Sequence, residues 1–281
     1  MNIKDLEKEY IQSLKHFYDA AEAKAIFNLS AISILKVTQS ELLVQKDKLL
    51  SENHLKELIN VLNGLKSGKP VQQILGKTIF YGLPLRINED VLIPRPETEE
   101  LVDWIIKEVK DKKKTILDIG TGSGCISVIL KKNLPNLDVS ALDISQGALK
   151  IAAENAKLNE TEINFIEADI LNYSSNDKYD IIVSNPPYIR ELEKADIHEN
   201  VLSHEPHTAL FVSDENPLIF YDAISDFAIK NLNPNGYLFF EINEHLWSET
   251  LDILIAKHFK NIELKKDMQG KDRMIMARTN P

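Results

Sequence analysis

The sequence of 281 residues predicts an α/β protein with a mostly parallel sheet, preceded by a small helical domain and a β-hairpin linker. From residue 96 onward, segments with the periodicity of strands and of helices alternate, which is typical of a parallel sheet covered by helices on both faces. Residues 1–69 show only helical spacing of apolar side chains. The length is sufficient for one large domain and one small domain.

Residues 1–69 are predicted to form a bundle of helices, because apolar side chains recur every three or four positions. Each apolar stripe would face the interior of this domain. Gly68 and Pro70 would end the last helix. The predicted stripes are Leu6, Tyr10, Leu14 and Phe17; Ala21, Ala25 and Phe27 to Leu29; and Leu55, Leu58, Leu62 and Leu65.

The linker, residues 70–95, is predicted to contain a β-hairpin, because apolar segments at 78–81 and 85–87 flank Gly82. Residues 96–281 form the predicted α/β domain. Its last two strands have no helix between them and are expected to form an antiparallel edge pair, which a standard dinucleotide-binding fold lacks. The predicted strands span 115–119, 138–142, 163–167, 180–184, 237–241, 262–265 and 273–277, and the predicted helices span 99–110, 124–132, 145–157, 217–231 and 245–258.

Composition limits the possible functions. The 33 basic and 43 acidic residues give a net charge of −10, which argues against a broad nucleic-acid-binding face. No apolar stretch approaches the roughly 18–20 residues needed to span a bilayer, and the N-terminus lacks a signal-peptide core. The single cysteine, Cys125, is assigned to packing. His204 and His207 are not expected to bind a metal, because Pro206 disfavours a helical register. We therefore predict a cytoplasmic protein.

A glycine-rich loop follows the first predicted strand of the α/β domain. The loop is Gly120-Thr121-Gly122-Ser123-Gly124, and an apolar helix comes directly after it. This arrangement lets backbone N–H groups approach a ligand closely. Asp118 precedes the loop, where a carboxylate attracts a cation or an amino group and repels a pyrophosphate. The G-x-G-x-G spacing is also shorter than the G-x-G-x-x-G of dinucleotide sites.

Two further acids extend this candidate cofactor site. Asp143 ends the next strand, where a carboxylate accepts hydrogen bonds from a ribose diol. The alternative is a helix cap, for which Ser145 is at least as suitable. Asp169 follows the strand 163–167 and is predicted to contact an adenine together with Ile170, although Asp169 also suits a turn. These residues fit S-adenosylmethionine better than a dinucleotide.

The tetrapeptide Asn185-Pro186-Pro187-Tyr188 directly follows the predicted strand 180–184. Each proline fixes φ and removes an N–H, so the segment is rigid and offers mainly carbonyl acceptors. A planar NH2 group can donate one hydrogen to the side-chain oxygen of Asn185 and the other to the carbonyl of Pro186. Tyr188 supplies an aromatic wall. The tetrapeptide predicts an enzyme that acts on an amino group of a planar, conjugated system; a strand-ending turn is the alternative.

The glycine loop, Asp143 and the tetrapeptide resemble those of class I S-adenosylmethionine-dependent methyltransferases that modify planar nitrogen. The run Leu92-Ile93-Pro94-Arg95-Pro96-Glu97-Thr98-Glu99 resembles the segment before the core of the peptide chain release factor glutamine-N5 methyltransferases, the PrmC/HemK family. Residues 70–76 and 205–210 are also similar to that family. The chain departs from the family pattern at Asn243, where glycine is more frequent, and at Leu246, which replaces a frequent glutamine.

The resemblance implies a Rossmann-like fold with a seven-stranded, mostly parallel sheet. It implies methyl transfer from S-adenosylmethionine to N5 of the glutamine in the Gly-Gly-Gln loop of class 1 release factors, with S-adenosylhomocysteine as product. The N-terminal helices would help to dock this partner, without a metal, nucleic acid or membrane. The implied catalytic residues are Asn185, Pro186 and Tyr188, the substrate-binding residues are Asn185, Pro186, Pro187 and Tyr188, and the cofactor-binding residues are Gly120, Thr121, Gly122, Ser123, Gly124, Asp143, Asp169, Ile170 and Asn185.

Two other functions share part of this pattern. A nucleic-acid adenine-N6 methyltransferase needs the same tetrapeptide, but also an electropositive channel or base-flipping platform, and the sequence has no basic cluster. A cofactor-binding scaffold without catalysis is disfavoured by the intact Asn185 and Asp143. Arg95 and Glu97 are predicted either to cover the cofactor or to start a helix. Glu205 is predicted either to border the substrate pocket or to have a structural role in its loop.

Overall fold

The computed structural model describes residues 1–109 and 114–281, which divide into two compact units. The smaller unit contains Met1–Gly76 and His198–His204, and the larger contains Lys77–Ile197 and Glu205–Pro281. The predicted helix 99–110 has Lys110 as its last residue, and this residue lies outside the described residues.

The first four helices of the smaller unit begin at polar capping residues. The side chains of Asn2, Asp19 and Ser51 accept hydrogen bonds from backbone N–H groups in the first turns of the helices that follow them. Thr38 forms a capping box with Glu41. The helices before residue 77 are α1 (Ile3–Leu14), α2 (Ala20–Leu35), α3 (Gln39–Val44), α4 (Glu52–Lys66) and α5 (Val71–Leu75).

The core of the smaller unit contains most of two predicted stripes. The Tyr10 hydroxyl donates a hydrogen bond to the backbone carbonyl of Leu58 at 2.5 Å, and its ring meets Phe27 edge-on. Phe17 lies beyond the end of α1 and is 46% exposed, so its assignment to the first stripe is wrong. The buried members of the two stripes are Leu6, Tyr10, Leu14, Leu58, Leu62 and Leu65.

Two local predictions are wrong. In α2 the predicted residues Ala21, Ala25 and Leu29 are exposed; of the predicted stripe Phe27 is buried, and it shares the buried face with other residues that include Ala23 and Ile26. Apolar residues lie on most sides of α2, so their spacing does not distinguish the face that packs. Residues 71–75 form α5 rather than part of a β-hairpin linker, and this helix ends at Gly76 with φ of 66°.

The larger unit begins with the predicted hairpin and continues as alternating strands and helices. Most predicted bounds differ from the observed ones by a few residues, but the long central strand begins at Leu232 rather than 237. The elements are β1 (Lys77–Phe80), β2 (Leu83–Arg86), α6 (Pro96–Val109), β3 (Thr115–Ile119), α7 (Cys125–Asn133), β4 (Asp138–Asp143), α8 (Gln146–Leu158), β5 (Asn164–Glu167), β6 (Tyr179–Ser184), β7 (Ile189–Arg190), β8 (Phe211–Val212), α10 (Ile219–Asn231), β9 (Leu232–Glu241), α11 (Trp247–Ala256), β10 (Lys260–Lys266) and β11 (Asp272–Arg278), while α9 (Glu199–His204) belongs to the smaller unit.

Seven strands of the described residues form one sheet in the order β10-β11-β9-β6-β3-β4-β5. Strands β3, β4, β5, β6 and β9 are parallel to their neighbours among this group, and β11 is antiparallel to both β9 and β10. The predicted mixed sheet and its antiparallel final pair are therefore confirmed. The strand order reverses at β3, which has β4 on one side and β6 on the other. In open α/β sheets, ligands bind outside the carboxyl ends of strands at such a point.

Side chains of the central strands alternate between two apolar layers, as the pleat of a strand requires. Ile116 and Ile181 pack in one layer with residues of α6 and α7. Leu117 and Ile182 pack in the other layer with residues of α10 and α11. The sheet is thus buried on both faces, and polar chemistry is confined to the ends of its strands.

A buried amide connects the hairpin to the glycine loop. Asn155 on α8 is fully buried. Its Nδ2 donates to the backbone carbonyls of Arg86 and Ser123, each at 2.9 Å, and its Oδ1 accepts from the backbone N–H of Arg86 at 2.6 Å. These bonds satisfy backbone groups on both segments, so the position of the loop depends on this side chain.

We expect Asn155→Ala to lower the free energy of unfolding by about 2–4 kcal/mol, because backbone groups lose their partners at a buried position. Urea denaturation followed by circular dichroism measures this loss. Asn164→Ala is the matched control, since the Asn164 side chain is exposed and makes a 3.4 Å contact with Ser140 Oγ. Equal losses in the two variants would contradict the role assigned to Asn155.

Candidate functional site

The predicted site residues lie at one edge of the sheet. Strands β3, β4, β5 and β6 run parallel, so their carboxyl ends meet at that edge. The loop 120–124 follows β3, Asp143 ends β4, Asp169 comes after β5, and Asn185 follows β6. The Ser184 hydroxyl donates to the carbonyl of Ile119 at 2.7 Å and joins the tips of β6 and β3.

The glycine loop requires glycine for two different reasons. Gly120 and Gly122 have φ of 72° and 54°, and a Cβ built on either would have no heavy atom within 4 Å. Open space lies beside the backbone there, as a closely approaching ligand requires. Gly124 has φ of 77°, and its Cβ would lie 3.0 Å from that of Ala152, so glycine also permits α7 to pack against α8.

Asp118 lies beneath the loop and is fully buried. Its Oδ2 accepts hydrogen bonds from the Thr121 hydroxyl at 2.6 Å and from the backbone N–H of Ser127 at 3.2 Å. Among the described residues, its Oδ1 has no hydrogen-bond partner. Burial raises the pKa of Asp118 to about 6. A buried carboxylate with one unsatisfied oxygen is a suitable acceptor for the amino group of a ligand.

Asp143 is 8% exposed, and its carboxylate accepts hydrogen bonds from the loop and from the residue before α8. Its Oδ2 accepts from the backbone N–H of Gly122 at 2.8 Å, and its Oδ1 accepts from that of Ser145 at 2.9 Å. Ser145 is the N-cap of α8 and accepts from Ala148. Burial raises the pKa of Asp143 although these backbone donors oppose the shift. A carboxylate can accept more hydrogen bonds than these backbone groups supply, so Asp143 can also accept from a diol.

Asp169 forms the turn that the sequence left open as an alternative. Its Oδ1 accepts from the backbone N–H of Leu171 at 3.0 Å, and its Oδ2 accepts from Asn172 Nδ2 at 2.9 Å. Ile170 packs against the apolar layer that contains Ile182. The adenine contacts assigned to Asp169 and Ile170 stay predictions.

Side chains at both ends of the tetrapeptide 185–188 make hydrogen bonds. Asn185 is half-buried, and its Nδ2 donates to Thr98 Oγ1 at 3.2 Å. The Tyr188 hydroxyl donates to Glu241 Oε1 at 3.1 Å. Pro186 is buried and Pro187 is half-buried between them. The segment is therefore fixed by its prolines and by these two contacts.

Sequence reasoning missed the residues that hold the tetrapeptide. Glu241 ends β9, is 1% exposed, and accepts hydrogen bonds from both Tyr188 and the Thr98 hydroxyl. Burial raises the pKa of Glu241, while both donors and Arg273 oppose the shift. Asn243 Nδ2 donates to the Tyr188 carbonyl at 2.9 Å. A lone acid at the end of an apolar strand was the available sequence signal.

Glu205 and Arg95 form an ion pair. Glu205 is 4% exposed, and its Oε1 lies 2.6 Å from an Arg95 guanidinium nitrogen. Its Oε2 accepts from the backbone N–H of Ile93 at 3.0 Å. Pro96 starts α6, and Glu97 lies in its first turn. The helix-start alternative for this segment is therefore present, and Glu205 fixes the backbone around residue 93.

Three further sequence predictions concern the single cysteine, a possible metal site and possible membrane spans. Burial raises the pKa of Cys125 to about 12, and its side chain packs against an apolar layer. Across residues 1–109 and 114–281, no group of three or more histidine, cysteine or acidic side chains could hold a metal ion. Within the same residues, no helix has the length and apolar character to cross a membrane.

Comparison with known proteins identifies close relatives over nearly the whole chain. A family model described as "Methyltransferase small domain" matches residues 98–210. A release factor glutamine methyltransferase from Flavobacterium psychrophilum is 49% identical and covers 98% of both chains. Another from Bacteroides thetaiotaomicron is 42% identical and covers 95% of this chain and 96% of its own length.

The fold is also found in solved structures. A methyltransferase from Pyrococcus furiosus matches with a TM-score of 0.53 at 16% identity, over 82% of this chain and 100% of its own. At this identity the match shows the fold alone. The Rossmann-like class I methyltransferase fold implied by the sequence is confirmed. Given the extent and identity of its relatives, the chain belongs to the release factor glutamine methyltransferase family.

Proposed function

We propose that this protein transfers a methyl group from S-adenosylmethionine to the side-chain amide nitrogen (N5) of the glutamine in the Gly-Gly-Gln loop of peptide chain release factors. One observation carries the proposal. Asn185 directly follows β6, and its NH2 group donates a hydrogen bond to Thr98 Oγ1, which leaves its side-chain oxygen as an acceptor. Membership of the release factor glutamine methyltransferase family supports this substrate.

The residues around the glycine loop fit S-adenosylmethionine. The unsatisfied Oδ1 of Asp118 suits an amino group, and the space beside Gly120 and Gly122 suits close approach of the ligand to the backbone. Asp143 has acceptor positions for a ribose, and Ile170 is assigned to the adenine. When bound, the cofactor supplies an activated methyl group and its own leaving group.

The protein must make a poor nucleophile react. The lone pair of an amide nitrogen is delocalised into its carbonyl, which gives the C–N bond a rotation barrier of about 18–20 kcal/mol. In the proposed mechanism, Asn185 Oδ1 and the Pro186 carbonyl accept the two N–H hydrogens and orient the NH2 group. Both oxygens also favour the positive charge that develops on nitrogen during transfer.

Tyr188 serves this mechanism through packing rather than proton transfer. Burial and the neighbouring carboxylate of Glu241 raise the pKa of its hydroxyl well above the usual range. The hydroxyl is also committed as a donor to Glu241. The ring is therefore assigned to the wall beside the glutamine side chain. In the proposed mechanism the nitrogen gains the methyl group and passes one proton to water during or after the transfer, and no side chain is assigned the role of base.

The substrate is tested by incubating the protein with methyl-labelled S-adenosylmethionine and either intact release factor or nucleic acid. We expect label on the release factor, at the glutamine of its Gly-Gly-Gln loop, and none when that glutamine is replaced by alanine. Label on nucleic acid would instead indicate the adenine-N6 reaction. No label on either would indicate a cofactor-binding scaffold.

Asn185→Ala should lower the rate of methyl transfer at least about tenfold, near 1.4 kcal/mol, because one of the two acceptors is lost. Affinity for S-adenosylmethionine, measured by calorimetry, should stay within about threefold of the wild-type value. Asn164→Ala, an exposed amide on β5, controls for the substitution itself and should react at the wild-type rate. An unchanged rate in Asn185→Ala would exclude the proposed role.

The smaller unit is proposed to dock the release factor. It exposes Leu43, Val44 and Leu49 by 55%, 86% and 74%, respectively. Replacing Val44 and Leu49 with serine should raise the Michaelis constant for intact release factor about fivefold, near 1 kcal/mol, since apolar contact area is lost. The constant for a short Gly-Gly-Gln peptide should not change. Ile255→Ser, at an exposed position of α11, is the control, and an unchanged constant for release factor would refute the docking role.

A further inference from the structure

A chain of three hydrogen bonds connects both ends of the tetrapeptide to one carboxylate. Asn185 Nδ2 lies 3.2 Å from Thr98 Oγ1, and this oxygen lies 2.7 Å from Glu241 Oε2. The second oxygen of Glu241 accepts from the Tyr188 hydroxyl. Thr98 and Glu241 are 2% and 1% exposed, so water does not compete for these groups.

The direction of each bond follows from the number of available protons. An ionised Glu241 only accepts hydrogen bonds, so the single hydroxyl proton of Thr98 must be donated to it. Each oxygen of Glu241 receives one hydroxyl donor, from Thr98 at 2.7 Å and from Tyr188 at 3.1 Å, which is the arrangement that an ionised carboxylate adopts. Thr98 then has only its lone pairs left for Asn185. The atom of Asn185 that lies 3.2 Å from Thr98 Oγ1 is accordingly its NH2 nitrogen, which donates to one of these lone pairs.

This constraint decides what Asn185 offers to a substrate. An asparagine amide has nearly the same shape after a rotation of 180°, which exchanges its oxygen and nitrogen. In one orientation the free end is an oxygen that accepts a hydrogen from a substrate NH2. In the other orientation two NH2 groups would face each other and repel. The amide contributes an acceptor to the site only while its nitrogen is held elsewhere.

We propose that Thr98 is a positioning residue for methyl transfer: its hydroxyl, polarised by Glu241, holds the Asn185 amide with the oxygen towards the substrate. The proposal rests on the proposed function of Asn185. It assigns Thr98, which lies in the first turns of α6, a role in the rate of methyl transfer rather than in cofactor affinity. Thr98 itself does not touch the reacting atoms in this scheme.

The test is a double-mutant cycle on the full-length protein with intact release factor and S-adenosylmethionine. Thr98→Val keeps the shape of the side chain and removes its hydroxyl. We expect it to lower kcat about tenfold while the Michaelis constant for S-adenosylmethionine stays within about twofold. Thr98→Ser restores the hydroxyl and should recover most of kcat. In the Asn185→Ala background, Thr98→Val should cause no further loss, because the group it positions is absent.

The outcomes separate this inference from the proposed function. A kcat for Thr98→Val within twofold of wild type, together with a slow Asn185→Ala, would overturn the positioning role alone. Losses that multiply in the double variant would also overturn it, since Thr98 would then act independently of Asn185. A full kcat in Asn185→Ala would overturn the proposed role of Asn185 and this inference with it. Urea denaturation of each variant checks that all are folded at the assay temperature.

Discussion

The buried carboxylate of Glu241 is the group on which the arrangement of the candidate site depends. Parallel pairing of Ser184 with Phe240 brings the tips of β6 and β9 together, so Glu241 lies beside the start of the tetrapeptide. Burying an acid there carries a large desolvation cost, which the hydroxyls of Thr98 and Tyr188 offset. The same bonds fix elements from three parts of the chain around one acceptor. The hydrogen bonds that stabilise the buried carboxylate are therefore the same bonds that fix the geometry of the site.

The order of the strands explains why the predicted cofactor-binding and substrate-binding residues lie close together. The strand order reverses at β3, so the glycine loop after β3 lies between the ends of β4 and β6. On one side, the carboxylate of Asp143 accepts a hydrogen bond from the backbone N–H of Gly122 in this loop. On the other side, the Ser184 hydroxyl at the end of β6 donates a hydrogen bond to the backbone at the carboxyl end of β3. The glycine loop and Asn185 are therefore neighbours because of the topology of the sheet.

Much of this arrangement is predictable because it is encoded locally. The strands of the larger unit follow apolar runs, and the loop 120–124 and the tetrapeptide 185–188 follow strands that the sequence marks clearly. The contacts of Thr98 were not predictable, since 143 positions separate it from Glu241 and 87 from Asn185. Local periodicity contains no information on such pairs. In α2, apolar residues on most sides left the packed face undetermined until the other helices were in place.

The proposed orientation of Asn185 explains how an NH2 group would be bound, but it does not explain how one substrate that carries such a group is selected over another. The NH2 groups of glutamine and of adenine present the same two hydrogens, so the acceptors proposed at 185 and 186 would bind both alike. Selectivity must come from groups outside the tetrapeptide. Beside Tyr188 lies a cleft of about 340 Å³ whose lining includes Arg190, Glu193 and His245, with charges of both signs. Such a lining does not provide the uniform positive field that phosphates require, whereas mixed charges can pair with the polar surface of a protein loop. The surroundings of the acceptors thus favour a protein substrate over a nucleic acid.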